Sequence, residues 1–153
     1  MAIDFDDDGW QQDVTVLKDV CLEFAIPVAI ERSMSGNGAH AWFFFETNVP
    51  AVTARRFGSA LLTHAMEKRH EIRFKSYDRL FPNQDFMPKS GLGNLTAAPL
   101  QMMARKKGNS LFVDERFTPY EDQWEFLLFF SINAVQSGFW LTQKSRPRKF
   151  VTI

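Results

Sequence analysis

Along residues 2–81 the spacing of apolar residues switches between the period of a strand and that of a helix, in the order strand, helix, strand, strand, helix, strand. That order leaves little choice of fold, because both helices must cover one face of one sheet. Ile3 and Phe5 alternate with Asp4 and Asp6 in AIDFD, which predicts the first strand. In Asp8-Gly9-Trp10-Gln11 the Asp8 carboxylate stands where a capping group accepts from first-turn amides, and Asp7 beside it suits the positive helix end. The helix places Val14, Leu17, Val20, Cys21 and Phe24 on one face, and Pro27 ends it. VAIER (28–32) predicts a second strand, SMSGNGA (33–39) a turn, and AHAWFFFE (39–46) a third, aromatic-rich strand. Pro50 opens a helix to about His70 with Ala54, Phe57, Leu61 and Ala65 inward, and KSYDRLF (75–81) completes the pattern. The expected class is α+β, a ferredoxin-like or RRM-like βαββαβ module whose first and third strands lie side by side. Beyond residue 85, LTAAPLQMM and LFVDE predict extra strands flanking the basic turn ARKKGNS, residues 121–134 predict a helix, and QKSRPRKF reads as a basic tail.

The 153 residues suit one domain, with no repeat or low-complexity linker. Sixteen Phe against two Tyr require a large buried aromatic surface. Charge is balanced overall but not along the chain: residues 1–25 hold seven acids and Lys18 alone as a base, leaving eleven acids and seventeen bases elsewhere. An acidic patch on a basic body suits a metal that meets a polyanion, and equally a solvated surface with uneven charge. Cys21 is the only cysteine, so no disulfide within the chain is possible. The acidic N-terminus has no signal-peptide core, and the apolar run 126–135 is too short to span a bilayer. These features predict a cytoplasmic protein with no membrane segment.

Asp4-x-Asp6-x-Asp8-Gly9 matches the start of an EF-hand loop, but the twelfth position is Thr15, where a bidentate Glu is needed, and no helix precedes Asp4. The strand reading is stronger. Residues two apart on a strand share a face at roughly 6.5–7 Å, so Asp4 and Asp6 project together. Bare carboxylates so placed drift toward protonation unless a divalent cation holds them ionised. The DxD pair indicates metal and phosphate and names no reaction, since glycosyltransferases and phosphatases use it too. In ERSMSGNGAHAW (31–42), Ser33, Ser35, Gly36 and Gly38 make a turn whose backbone can approach an anion. His40, Trp42 and Phe44 share one face of the third strand and Ala41, Phe43 and Phe45 the other, so His40 is expected beside the acids where the registers of the two strands agree. A packed histidine after a hairpin turn is the plainer alternative.

AIDFD, SGNGAH and SYDRLFPNQD together resemble the motifs of the archaeo-eukaryotic primase superfamily, the primase-polymerases. ERSMSGNGAHAWFFF with SYDRLFPNQD, GLGNL and PLQ looks most like the primase domain of TOTE conflict systems, over about residues 2–127. The resemblance implies a template-directed nucleotidyltransferase that binds two Mg²⁺ or Mn²⁺ ions, nucleoside triphosphates and a single-stranded DNA template or primer-template, alongside helicase and nuclease modules. It implies metal ligation by Asp4, Asp6 and Asp78, with Asp114 a second candidate for the third acid, and contact of His40 with the incoming triphosphate. Ser33, Ser35 and the turn amides, Gly36 and Gly38 included, would cradle phosphates. Asn83, Gln84, Lys89 and Asn94 would reach sugar, base or phosphate.

Among the basic clusters, Arg105, Lys106 and Lys107 are the expected nucleic-acid contacts, whereas the aromatics suggest core positions and no stacking platform. The resemblance implies a catalytic module at 1–128 and an unplaced tail at 129–153. Relatives carry a module ahead of the first acidic motif, whereas Met1 stands three residues before Asp4. The expectation is therefore a chain without that module and with an open face at Trp42 and Phe44. A truncated, catalytically silent nucleic-acid-binding fragment of the same fold is the alternative function, and a metal-dependent nuclease or other phosphate-transfer enzyme a third.

Overall fold

In the computed structural model, which describes residues 1–6, 8–68, 75–86 and 95–136 (131–136 by backbone alone), the elements follow the expected order. They are β1 (Ala2–Asp6), α1 (Trp10–Glu23), β2 (Ala29–Arg32), β3 (Gly38–Trp42), α2 (Ala51–Lys68), β4 (Tyr77–Phe81), α3 (Met102–Arg105) and α4 (Gln123–Gln136). Asp7 and the tail from residue 137 lie outside the described residues.

The sheet is antiparallel with strand order β2-β3-β1-β4, so β1 and β3 do lie side by side at its centre. Alternation decides which side chains go where. Ile3 and Phe5 of β1, Ala39 and Ala41 of β3 and Leu80 of β4 point to one face and are buried under α1 and α2. Val14, Leu17, Val20 and Cys21 of α1 and Leu61 and Ala65 of α2 complete this core. The opposite face carries Asp4, His40 and Trp42.

Both ends of α1 differ from expectation. The N-cap is Gly9, at φ 93°, and no side chain caps the helix; the carbonyl of Gly9 accepts from Gln12 and Asp13. Asp8 therefore does not cap, because a left-handed Gly9 puts the backbone, and not the preceding carboxylate, over the first turn. At the other end the chain turns before Pro27. Ala25 is left-handed at φ 52°, Ile26 N–H reaches Cys21 O (2.7 Å) and Ala25 N–H reaches Leu22 O (3.1 Å), the paired bonds of a Schellman stop. Phe24 is thus thrown off the inner face: it is half exposed and rests edge-on against His64 of α2.

The segment after residue 95 contains less strand than its sequence suggests. Met102 and Met103 lie in the single turn of α3, and no strand forms at 96–103. Residues 111–113 pair with the outer edge of β2 through one bridge only, Glu31 to Phe112, closed by Arg32 N–H to Leu111 O and Val113 N–H to Ile30 O. That bridge shields an edge strand from other chains. The outward amide and carbonyl of Phe112 are met by the side chain of buried Gln123, which accepts from Phe112 N–H (2.7 Å) and donates to Phe112 O (3.0 Å).

Helix α4 begins at Gln123, and the 128/129 boundary falls inside it. Its Phe130 meets Phe44 edge-on at 6.0 Å, and Phe126 lies on Phe112 and Tyr120. The face expected to be open at Trp42 and Phe44 is therefore partly covered: Trp42 is half-buried and Phe44 is 42% exposed.

Candidate metal centre and nucleotide site

The register of the two central strands brings the first two motifs together. Asp4 stands opposite His40 and Asp6 opposite Gly38. Directly opposed residues share a face, and His40 Nε2 lies 3.4 Å from Asp4 Oδ1.

Asp78 arrives by a different device. In β4, Leu80 and Tyr77 oppose the inward residues Ile3 and Phe5, while Arg79 opposes Asp4. Asp78 is left over as an extra residue, a β-bulge between the Asp4–Arg79 and Phe5–Tyr77 pairs. Uninterrupted alternation would give Asp78 the face of Leu80, inside the core. A bulge re-aims one side chain, and here each of Asp4, Asp6 and Asp78 offers a carboxylate oxygen within 4.8 Å of the others.

The entry to the bulge is anchored from α1. Asp13, buried in the first helical turn, accepts both the amide (3.1 Å) and the hydroxyl (2.6 Å) of Ser76, whose own carbonyl accepts Asp6 N–H.

The cluster has the electrostatics of a cation site. Burial raises the pKa of Asp4, as do the charges of Asp6 and Asp78, against the opposing pull of His40 and Arg79. Arg79 Nε donates to Asp78 Oδ2 at 2.5 Å, so one acid has a partial counter-charge. Three carboxylates with carboxylate oxygens as the only donors suit a hard divalent ion of the Mg²⁺ or Mn²⁺ type. Asp8 is exposed and outside this trio, as the failed EF-hand match requires. Asp114 is outside it too: its Oδ1 accepts from Arg116 and Thr118 N–H and shapes a turn.

His40 is buried and held from behind by Glu31, whose Oε2 lies 3.1 Å from Nδ1. Burial, the largest single influence, disfavours the imidazolium. The hydrogen bond and charge of Glu31, joined by the charges of Asp4 and Asp6, outweigh it, and the net shift is upward. Glu31 escaped the sequence reading because its alternation partner across the hairpin is visible only once β2 and β3 are paired in register. Arg79 escaped because its place opposite Asp4 depends on the register of β4 against β1.

The turn between β2 and β3 lies against the acids. A Cβ on Gly38 would strike the Phe5 carbonyl and come 2.8 Å from Asp6 Oδ1. Gly36 is left-handed, at φ 85°, and packs against the Asn109 side chain, which donates to Met34 O. Ser33 and Ser35 hydroxyls are 3.0 Å apart; Ser35 Oγ accepts Asn37 N–H and Ser33 O accepts Gly36 N–H. With Ser33 N–H donating to Gly38 O (2.9 Å), three of the turn's amides are spent on the turn itself.

Other expected contacts are placed as follows. Arg105, Lys106 and Lys107 are exposed, without an ion pair among the described residues, at α3 and the turn that leads to Asn109. They therefore adjoin the Ser33–Gly38 turn. Gln84 is not brought to the acids: β4 ends with Phe81 beside Ala2, the end of β1 away from Asp6. There Arg55 of α2 binds Asp85 (2.6 Å) and the Asn83 carbonyl. Lys89 and Asn94 lie outside the described residues. Among the described residues no helix is long and apolar enough to cross a membrane.

The chain matches no curated protein. Its residues 1–137 match the family described as the TOTE conflict system, archaeo-eukaryotic primase domain, and that match takes in all four sheet strands, the acid trio and the whole of α4. The chain belongs to the archaeo-eukaryotic primase domain family of TOTE conflict systems.

Proposed function

We propose that this chain is a metal-dependent nucleotidyltransferase of the primase or primase-polymerase kind, joining nucleotides on a single-stranded DNA template or primer-template. The observation that carries the reading is the convergence of Asp4, Asp6 and Asp78 on one face of the sheet with His40 beside them, in a chain of primase family. Asp4, Asp6 and Asp78 would hold the divalent ions, two on this reading, whose positive charge activates a primer 3′-hydroxyl and stabilises the departing pyrophosphate.

The remaining work belongs to the protein. The bulge at Asp78 and the Asp13–Ser76 anchor fix the spacing of the three carboxylates. His40 turns Nε2 toward the same point, as a contact for a triphosphate oxygen. Gly38 keeps the β2–β3 turn close to Asp6, and the turn's serines border the space a phosphate chain would fill. Arg105, Lys106 and Lys107 follow the template backbone, because exposed unpaired cations exchange counterions for phosphates.

Incubation with single-stranded DNA, nucleotides and Mn²⁺ should give primers or extended strands, and Asp6→Asn should reduce product at least a hundredfold. Undiminished synthesis by that variant would sink the assignment. The exposed basic turn by itself also favours a second reading, a silent binder of single strands. Salt-sensitive binding with no product under any divalent metal selects it, and cleavage in place of synthesis selects a nuclease. In the cell the reading places the chain in the cytoplasm beside the helicase and nuclease modules of a conflict system.

A further inference from the structure

Glu31 has no part in the chemistry above, yet it is 1% exposed, among the most deeply buried side chains in the molecule. A buried carboxylate costs several kcal/mol unless its lone pairs are met, and an apolar residue of the same volume often stabilises a fold as well or better. Three donors from two other segments meet this one. Trp42 Nε1–H donates to Oε2 at 2.7 Å, Ser110 Oγ–H donates to Oε1 at 2.9 Å, and His40 Nδ1 lies 3.1 Å from Oε2. An imidazole held through Nδ1 has only Nε2 to offer outward, and Nε2 is the atom 3.4 Å from Asp4. Trp42 stands edge-on to the ring at 5.9 Å and limits its rotation.

We propose that Glu31 is the positioning residue of the site, holding His40 through Nδ1–H and aiming Nε2, a donor when the ring is an imidazolium, at the point where the nucleotide phosphates meet the acid trio. Which ring nitrogen carries the proton is set by the hydrogen bond the other atom's neighbour makes, and such supporting carboxylates commonly orient functional histidines. Ser110 extends the same anchor to the β2–β3 turn, because its amide donates to Ser33 O (3.3 Å). The ligand's identity rests on the nucleotidyltransferase reading; the ring geometry does not.

The test separates the two. Long-range ¹H–¹⁵N NMR of the full metal-free chain, at alkaline pH where the ring is neutral, reads which nitrogen of His40 is protonated. The wild type should show Nδ1–H. Glu31→Met, which removes every acceptor, should move the proton to Nε2; Glu31→Gln, which keeps an acceptor oxygen, and Ser110→Ala, which removes one outlying donor, should restore or retain Nδ1–H. An Nε2–H wild type overturns the proposal even if the Met variant fails to fold, and so does a folded Met variant with unchanged protonation. In primer extension, Glu31→Met should raise the KM for the nucleotide roughly tenfold and leave the KM for the template unchanged; equal nucleotide KM values overturn it. A wild type that synthesises nothing removes the nucleotidyltransferase reading alone, and the NMR result still decides the role of Glu31.

Discussion

A methyl group on Gly38 would meet the Phe5 carbonyl head-on and crowd Asp6 Oδ1. Both obstacles are attached to the central strand, which has no freedom to retreat. Gly38→Ala should therefore cost about 1–3 kcal/mol by overpacking, measurable by urea unfolding, and should weaken Mn²⁺ binding by displacing Asp6. Cys21 presents the opposite situation, a side chain with ample packing and no water. Burial pushes its thiol up to about 12, against an ordinary value near 8.5. The folded state then favours the neutral thiol, so its contribution is complete below the ordinary value and is lost as pH rises from there toward 12. Native Cys21 should resist a thiol reagent at mildly alkaline pH and react at once in denaturant; rapid native labelling would contradict its burial. The single cysteine is a core residue here, as its place on the inner face of α1 suggested.

Secondary-structure ends carry the next set of consequences. Ala25 occupies the left-handed position that usually holds glycine. The steric cost of a Cβ there exceeds the entropy glycine adds to the unfolded chain. Ala25→Gly should accordingly stabilise the protein by about 0.5–1 kcal/mol, seen as a higher unfolding midpoint with unchanged slope. Gln123 does the reverse duty, serving as strand partner to Phe112 and also donating to Tyr120 O (2.7 Å). Gln123→Leu leaves the buried Phe112 amide unmet, while the Phe112 carbonyl keeps the Tyr120 N–H; it should cost about 1–3 kcal/mol, with loss of protection of the Phe112 amide in hydrogen exchange. The same sensitivity to backbone pairing explains why LTAAPLQMM forms no strand. The β2 edge is already taken by 111–113, and Met102 and Met103 close a helical turn instead.

At the scale of the molecule, the uneven charge of the sequence becomes a spatial arrangement. The acid trio sits on the open face of the sheet, and the basic turn at 105–107 stands behind the β2–β3 turn that borders it. Aromatic rings from β3 and α4 line the same side, with Trp42 and Phe44 nearly parallel at 6.3 Å. Replacing Arg105, Lys106 and Lys107 together by alanine should weaken single-stranded DNA binding and flatten its dependence on salt, reducing the log–log slope by about 2. An unchanged slope would mean that the strand runs elsewhere.

Much of this architecture was legible in the residue order. Period-two and period-3.6 patterning fixes βαββαβ, and that arrangement makes β1 and β3 neighbours, so that their register alone remained to set Asp4 beside His40. Local chemistry was less reliable at chain reversals, where backbone conformation at Gly9 and Ala25 outcompeted the expected cap at Asp8 and the inward place of Phe24. The third acid and the support of the histidine belong to tertiary structure alone. Strict alternation would have buried Asp78 with Leu80, and only one extra residue in β4, accommodated between pairs across β1, turns it to Asp4 and Asp6. Glu31 becomes a partner of His40 only when two strands and a distant serine close around it. Sequence periodicity specifies which face a side chain prefers; register, bulges and long-range hydrogen bonds decide which side chains meet.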